Sequence, residues 1–175
     1  MTTLKAVLAR GGASRGLIVE RQRLEALPAE ARERVIARLV GSPDPSARQV
    51  DGVGGGNVST SKVAVVGPSS RQDCDLDYEF HQVEVATGVI ERRGTCGNLT
   101  TAVGQYAVHE GLVALREPIT TVRLNDVNTG LVIHVDVPVE RGEVAYHGDT
   151  AMAGVPGRGA AVSSRFLQPA GAVTG

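Results

Sequence analysis

The sequence predicts an α+β domain in which strands surround one buried helix. Three observations carry that prediction. A run from Leu99 to Val108 holds no charged residue, several short segments alternate or cluster apolar residues in strand fashion, and the 22 glycines gather at the joints between them. The motif Gly94-Thr95-Cys96-Gly97-Asn98 stands directly before the uncharged run. Thr95 or Asn98 is suited to cap a helix there, and Gly111 to end it. A helix with no strongly polar face is surrounded rather than laid on a surface. Its N-terminus gathers unpaired N–H groups and the positive end of the macrodipole, which favours a thiolate at Cys96 and gives a carboxylate a landing site. Cys96 also fits as a small buried residue.

Composition bounds the function. The 175 residues suit one domain, or one with a small extension. A net charge of −1 and a charged fraction of 21% give no polyanion signal. With 3% aromatics and no Trp, base-stacking platforms are not expected either, so no nucleic acid is implied. Two cysteines with no signal peptide and no long apolar run imply a reduced, cytoplasmic setting away from membranes. The four histidines are scattered and no zinc-type spacing exists, so no metal is expected.

In chain order, Leu4 to Ala9 read as a first strand entering Arg10-Gly11-Gly12-Ala13-Ser14-Arg15-Gly16, and Leu17 to Val19 as a second. The turn between them is either a plain connection or an anion cradle made of the Gly11 and Gly12 N–H groups and the Ser14 hydroxyl. Pro28 opens a helix with Ala31, Val35, Ile36 and Leu39 on one face, and Gly41 stops it. Asp51-Gly52-Val53-Gly54-Gly55-Gly56-Asn57 follows. It is no P-loop, because Lys62 is separated from the glycines, and no dinucleotide fingerprint, because a strand and not a helix comes after. Lys62 opens the apolar strand Val63–Val66. A desolvated amine there can act as a base, although a strand-edge lysine at the surface reads the same way. Asp73, Asp75 and Asp77 read as a solvated loop or as helix caps. Phe80 to Arg92 reads as one strand bent at Gly88, with Val83 and Val85 opposite Gln82 and Glu84. Ile119–Leu124 and Leu131–Val137 form a hairpin whose odd-numbered residues from Leu131 to Val139 share a face, with His134 and Asp136 turned away. Short strands at Val144–His147 and Ala161–Leu167 complete the reading.

Five segments together resemble one family, in the family's order. They are Arg10–Gly16, Asp51–Asn57, Thr60-Ser61-Lys62-Val63-Ala64, Gly94–Asn98 and Asn125-Asp126-Val127-Asn128-Thr129-Gly130. The family is that of the PrpF-type aconitate, methylaconitate and methylitaconate isomerases and oxalomesaconate tautomerases. Ala13 and Arg15 depart from its opening motif, where Thr and Lys are usual. The resemblance implies a diaminopimelate-epimerase-like fold, a mixed sheet rolled around a central helix at about residues 98–111. It implies a cofactor-independent isomerase that shifts a proton and a C=C bond in a small unsaturated di- or tricarboxylate. Lys62 and Cys96 would be the acid/base pair. Ser14, Gly55, Gly56, Asn57, Ser61, Gly97 and Asn98 would hold the carboxylates.

By the same resemblance, residues 1–160 form an N-terminal domain and 161–175 begin the crossing to a second, with Pro169–Gly175 near the junction. The site then lies in a cleft completed by a C-terminal domain or by a homo-oligomer across the cleft face, and the isolated chain is expected to be inactive. Two alternatives stand beside this reading. One is a two-base racemase or epimerase of the same fold, and the other a non-catalytic half acting as a binding or assembly module.

Overall fold

The computed structural model describes residues 3–168, so the expected junction at Pro169–Gly175 lies outside the described residues. Strands β1 (Val7–Gly11) and β2 (Ser14–Glu20) form an antiparallel hairpin. Gly12, with φ +50°, makes its turn. Strand β2 runs straight into a short helix α1 (Arg21–Glu25), which has no apolar periodicity and which the sequence does not announce. Helix α2 (Ala29–Val40) follows Pro28 and stops on Gly41 in the left-handed conformation, as expected. Of the expected stripe, Ile36 is buried and Leu39 packs partly against the core, joined by Ala37 and Val40, whereas Ala31 and Val35 are not among the residues packed there, so the C-terminal half carries the contact.

Strand β3 (Lys62–Pro68) is buried on both faces up to Gly67, which explains its near-continuous apolar sequence. It pairs parallel with β2 and antiparallel with β4 (Leu76–Val83). The expected single strand from Phe80 to Arg92 is divided. Strand β4 ends at Val83, and β5 (Ile90–Glu91) folds back on it after a turn at Gly88, φ +73°. Helix α3 (Gly97–His109) comes next. Strands β6 (Ile119–Asp126) and β7 (Val132–Glu140) make the expected hairpin, with Ile133, Val135, Val137 and Val139 buried. Strand β8 (Glu143–Val144) pairs with β7, while β9 (Thr150–Ala151) and β10 (Arg158–Gly159) form a separate ribbon. Strand β11 (Ser163–Leu167) pairs with β7, so residues assigned to the start of a crossover belong to this sheet. Among the described residues the sheet runs β1-β2-β3-β4-β6-β7-β11.

The alternation along β3 and β4 separates two apolar clusters. Ala64, Val66, Tyr78 and Phe80 face α3, whereas Val63 and Val65 face α1 and α2. Leu99, Ala102, Val103 and Ala107 of α3 are each at most 2% exposed, so this is the surrounded helix that its uncharged sequence requires. Gly104 permits the seat: a Cβ there would stand 2.4 Å from Val135 Cγ1. At the helix end, Gly111 (φ +67°) donates to Val108 O and Leu112 to Ala107 O, which satisfies the last carbonyls. At the start, Cys96 itself is the capping position and no side chain closes it, so neither Thr95 nor Asn98 serves as the cap.

Of the three aspartates after Arg71, Asp73 lies in an exposed turn as expected, paired with Arg71, but Asp75 and Asp77 do not belong to a solvated loop. Asp75 pairs with Arg123 at 2.6 Å. Asp77 is buried within β4, where it accepts from Arg21 at 3.0 Å and Asn125 at 2.7 Å. Burial pushes the Asp77 carboxyl up, but these donors and the Ser70 N–H outweigh it and hold it below the usual range.

Candidate active site

The site is assembled along one face of β2. Ser14 and Gly16 are two residues apart and therefore lie on the same face, roughly 7 Å from each other. Ser14 is buried, and its Oγ receives the Asn98 amide at 3.4 Å and lies 3.9 Å from Cys96 Sγ. Gly16 faces the start of β3. A Cβ on it would stand 3.1 Å from Lys62 Cβ and 3.2 Å from Leu99 Cδ1. Glycine at this point lets the first residue of β3 and the first turn of α3 close on the same strand. The hairpin tip does likewise, since a Cβ on Gly12 would stand 2.3 Å from Asn98 Oδ1. The glycines of the opening motif thus serve close packing against the helix start.

Lys62 is only 8% exposed, which rules out the reading of a surface lysine at a strand edge. Its Nζ donates to Gln82 Oε1 and stands 5.1 Å from the centroid of the Phe80 ring. A ring face attracts a cation at that distance. Gln82, Phe80 and Tyr78 are alternate residues of β4 opposite Lys62, Ala64 and Val66. Tyr78 is fully buried, its phenol is pushed well above the usual range by burial, and its Oη donates to Cys96 O at 3.5 Å. One strand face therefore supports both the lysine and the turn that presents the cysteine.

The structure brings Ser14, Cys96, Gly97 and Asn98 together at the N-terminus of α3, and Lys62 lies beside Gly16 on the same face of β2. The glycine loop behaves differently. The Ser61 hydroxyl is fully buried and engaged with Gln49 Oε1 and Asn57 O, each at 2.8 Å. The Gly56 N–H is likewise spent on Gln49 Oε1. Asn57 turns its oxygen onto Ser59, and Gly55 is exposed with φ +76°. Ser61 and Gly56 thus shape the loop and have no donor left over for a carboxylate. Arg15, one of the two departures from the family motif, donates to Val53 O and Gly54 O and ties the loop to the hairpin.

Residues that sequence reasoning missed all lie on the supporting side. Gln82 reads as solvent-facing, yet its period-2 relation to Tyr78 and Phe80 places it beside Lys62. Asn128, from the Asn125–Gly130 motif, accepts from Phe80 N and donates to the Phe80 and Arg92 carbonyls. That motif thereby couples the strand under Lys62 to the segment that leads into Cys96.

The two thiols differ in accessibility. Cys96 is half-buried at the helix start, whereas Cys74 is buried and its thiol is pushed up by burial and by the Asp73 carboxylate. We expect Cys96 to alkylate faster than Cys74 near neutral pH, read as labelling rates by mass spectrometry. Faster modification of Cys74 would contradict the assignment.

A groove of about 600 Å³ runs from Gly12 and Asn98 along α3 to His109, walled by β1 and by residues 157–162, and neither Lys62 nor Cys96 lines it. Its far end lies at His109, away from the pair. Among the described residues no cluster of three metal-ligating side chains occurs, and no helix is long and apolar enough to cross a membrane.

A mixed sheet rolled around a buried helix is a diaminopimelate-epimerase-like fold. The chain belongs to the PrpF family, matching the PrpF protein description over residues 1–175. It is 40% identical over 172 residues to a 3-methylitaconate isomerase of Eubacterium barkeri, covering 98% of this chain and 44% of that protein. It is 43% identical over 174 residues to a 4-oxalomesaconate tautomerase of Pseudomonas putida, covering 99% and 47%. The crystal structure of a methylitaconate-delta-isomerase superimposes with a TM-score of 0.83 at 40% identity, over 90% of this chain and 40% of that one. A hydroxyproline epimerase from Agrobacterium vitis, 15% identical with a TM-score of 0.52 over 80% of this chain and 39% of that one, shares the fold alone. The chain spans about half the length of the curated relatives it matches.

Proposed function

We propose that this chain supplies the lysine–cysteine half of a cofactor-independent isomerase that moves a proton and a C=C bond within an unsaturated di- or tricarboxylate. The described sheet, with β11 as part of it, acts as the N-terminal domain, facing a C-terminal domain or a second copy across the cleft, in a reduced cytoplasmic setting. The observation that carries the reading is the shared face of β2, where Ser14 meets Cys96 and Gly16 meets Lys62.

The chemistry follows from the groups present. One member of the pair removes a proton from the carbon next to the unsaturated acid. The electron pair moves into the allylic system and builds enolate-like charge on a carboxylate. The other member returns a proton to the far end of the allyl unit, so atoms and charge balance without a co-reactant. The uncapped start of α3, with the Asn98 amide and the Ser14 hydroxyl, stabilises that charge.

The test is a panel of methylitaconate, methylaconitate and oxalomesaconate incubated in D2O with the protein and its second domain. One substrate should isomerise and carry solvent deuterium at the newly formed C–H. Absence of both isomerisation and exchange across the panel would overturn the reading.

A further inference from the structure

We infer that Gln82 is the positioning residue that sets where the Lys62 amine stands. The inference rests on the reading of Lys62 as an acid/base residue, and the geometry around Gln82 supplies the rest. Lys62 has a long, rotatable stem, and holding a side chain of that kind in one place costs rotamer entropy. Something must fix its tip, and the described structure gives two contacts, the Phe80 ring face and the Gln82 oxygen. A ring face attracts the amine without directing it. The amide oxygen is directional.

Gln82 itself is immobilised. Its Nε2 donates to Val58 O at 3.1 Å and Ser61 O at 3.0 Å. With both amide protons committed to carbonyls, Oε1 has one orientation left, and that orientation faces Nζ. The Ser61 carbonyl also receives the Val83 N–H at 3.0 Å, so the anchor is part of the β3–β4 ladder. Strand β4 therefore carries a fixed acceptor on the residue paired with Lys62. Because Gln82 contacts the lysine and not the cysteine, it acts through Lys62.

Two variants on residues 1–175 separate positioning from mere packing. Gln82→Leu removes the acceptor and both anchors. Gln82→Glu keeps an acceptor of the same size and loses the anchors to Val58 and Ser61. With 13C-ε-lysine labelling, the Lys62 ε-methylene protons of the parent should be displaced upfield by the Phe80 ring. Phe80→Leu should abolish that displacement and thereby assign it. Gln82→Leu should return the signal toward that of a free lysine, and Gln82→Glu, which keeps the acceptor without its anchors, should give a displacement between that of the parent and that of Gln82→Leu. A Lys62 signal that is unchanged in Gln82→Leu, or lost in a folded Gln82→Glu, would overturn the proposal.

Turnover with the second domain gives the other arm. Gln82→Leu should lower kcat by about 100-fold with little change in KM, the cost of an ångström-scale misplacement, and Gln82→Glu should recover much of it. Gln82→Glu should also displace the Lys62-dependent limb of the pH–rate profile, which a purely structural role would leave in place. If Lys62→Ala kept full turnover, the functional reading would fail while the labelling result still reported the positioning.

Discussion

Lys62→Ala is expected to lower kcat by about two to four orders of magnitude, with substrate affinity changing far less. The size follows from what the residue has around it. Lys62 is nearly buried, its amine contacts only Gln82 and the Phe80 ring among the described residues, and no other lysine shares that face. Water reaching the vacated space would be a poorer acid or base and would not stand at a fixed position. Cys96→Ala should produce a loss of similar size. The double variant should cost little more than either single one, because a proton path broken at one end is already broken. Steady-state kinetics on the three variants decide the matter. Near-normal turnover in Lys62→Ala would return that residue to a packing role. Fully additive losses would mean that the two side chains serve separate steps.

Much of this arrangement is legible in the sequence, for identifiable reasons. The uncharged run Leu99–Val108 has no polar face to turn toward solvent, so burial in the middle of the sheet is the only solution open to it. The alternation from Leu131 to Val139 prescribes a half-buried strand, and β7 is one. Lys62 and Cys96 are conspicuous because each is a reactive residue set against apolar sequence. What the sequence conceals is mostly long-range pairing. Asp77 reads as a loop residue until Arg21, Asn125 and Ser70 are brought to it from three other segments. Gln82 reads as a solvent-side strand position, since nothing local reveals that Lys62 pairs opposite it. Ser61 and Gly56 resemble carboxylate donors by residue type, but Gln49, a residue with no motif around it, takes up the Gly56 N–H and contacts the Ser61 hydroxyl inside the loop. A side chain's chemistry can be read from the sequence, whereas whether its donors are free depends on what folds against it.

Residues 1–175 on their own are expected to fold and to show no isomerase turnover. The described fold buries an apolar cluster on each face of its sheet, which is enough to hold the domain together. The site is different. Gly97 and Asn98 are exposed at the start of α3, and on the proposed reading the donors gathered there reach a substrate from one side. An allylic proton shift needs the substrate held from both sides and water kept out, or the reacting geometry is sampled too rarely and the developing charge is solvated instead of stabilised. A dicarboxylate should therefore bind weakly to this chain and leave unchanged. Turnover should appear when the second half of a PrpF relative is supplied, in step with formation of the complex. Sedimentation at several concentrations, with activity measured on the same samples, tests this directly. Activity that follows a complex, with the added half or with a second copy, meets the expectation. Robust turnover by a monomer sedimenting alone would overturn it, and would mean that Lys62 and Cys96 with the donors beside them are sufficient.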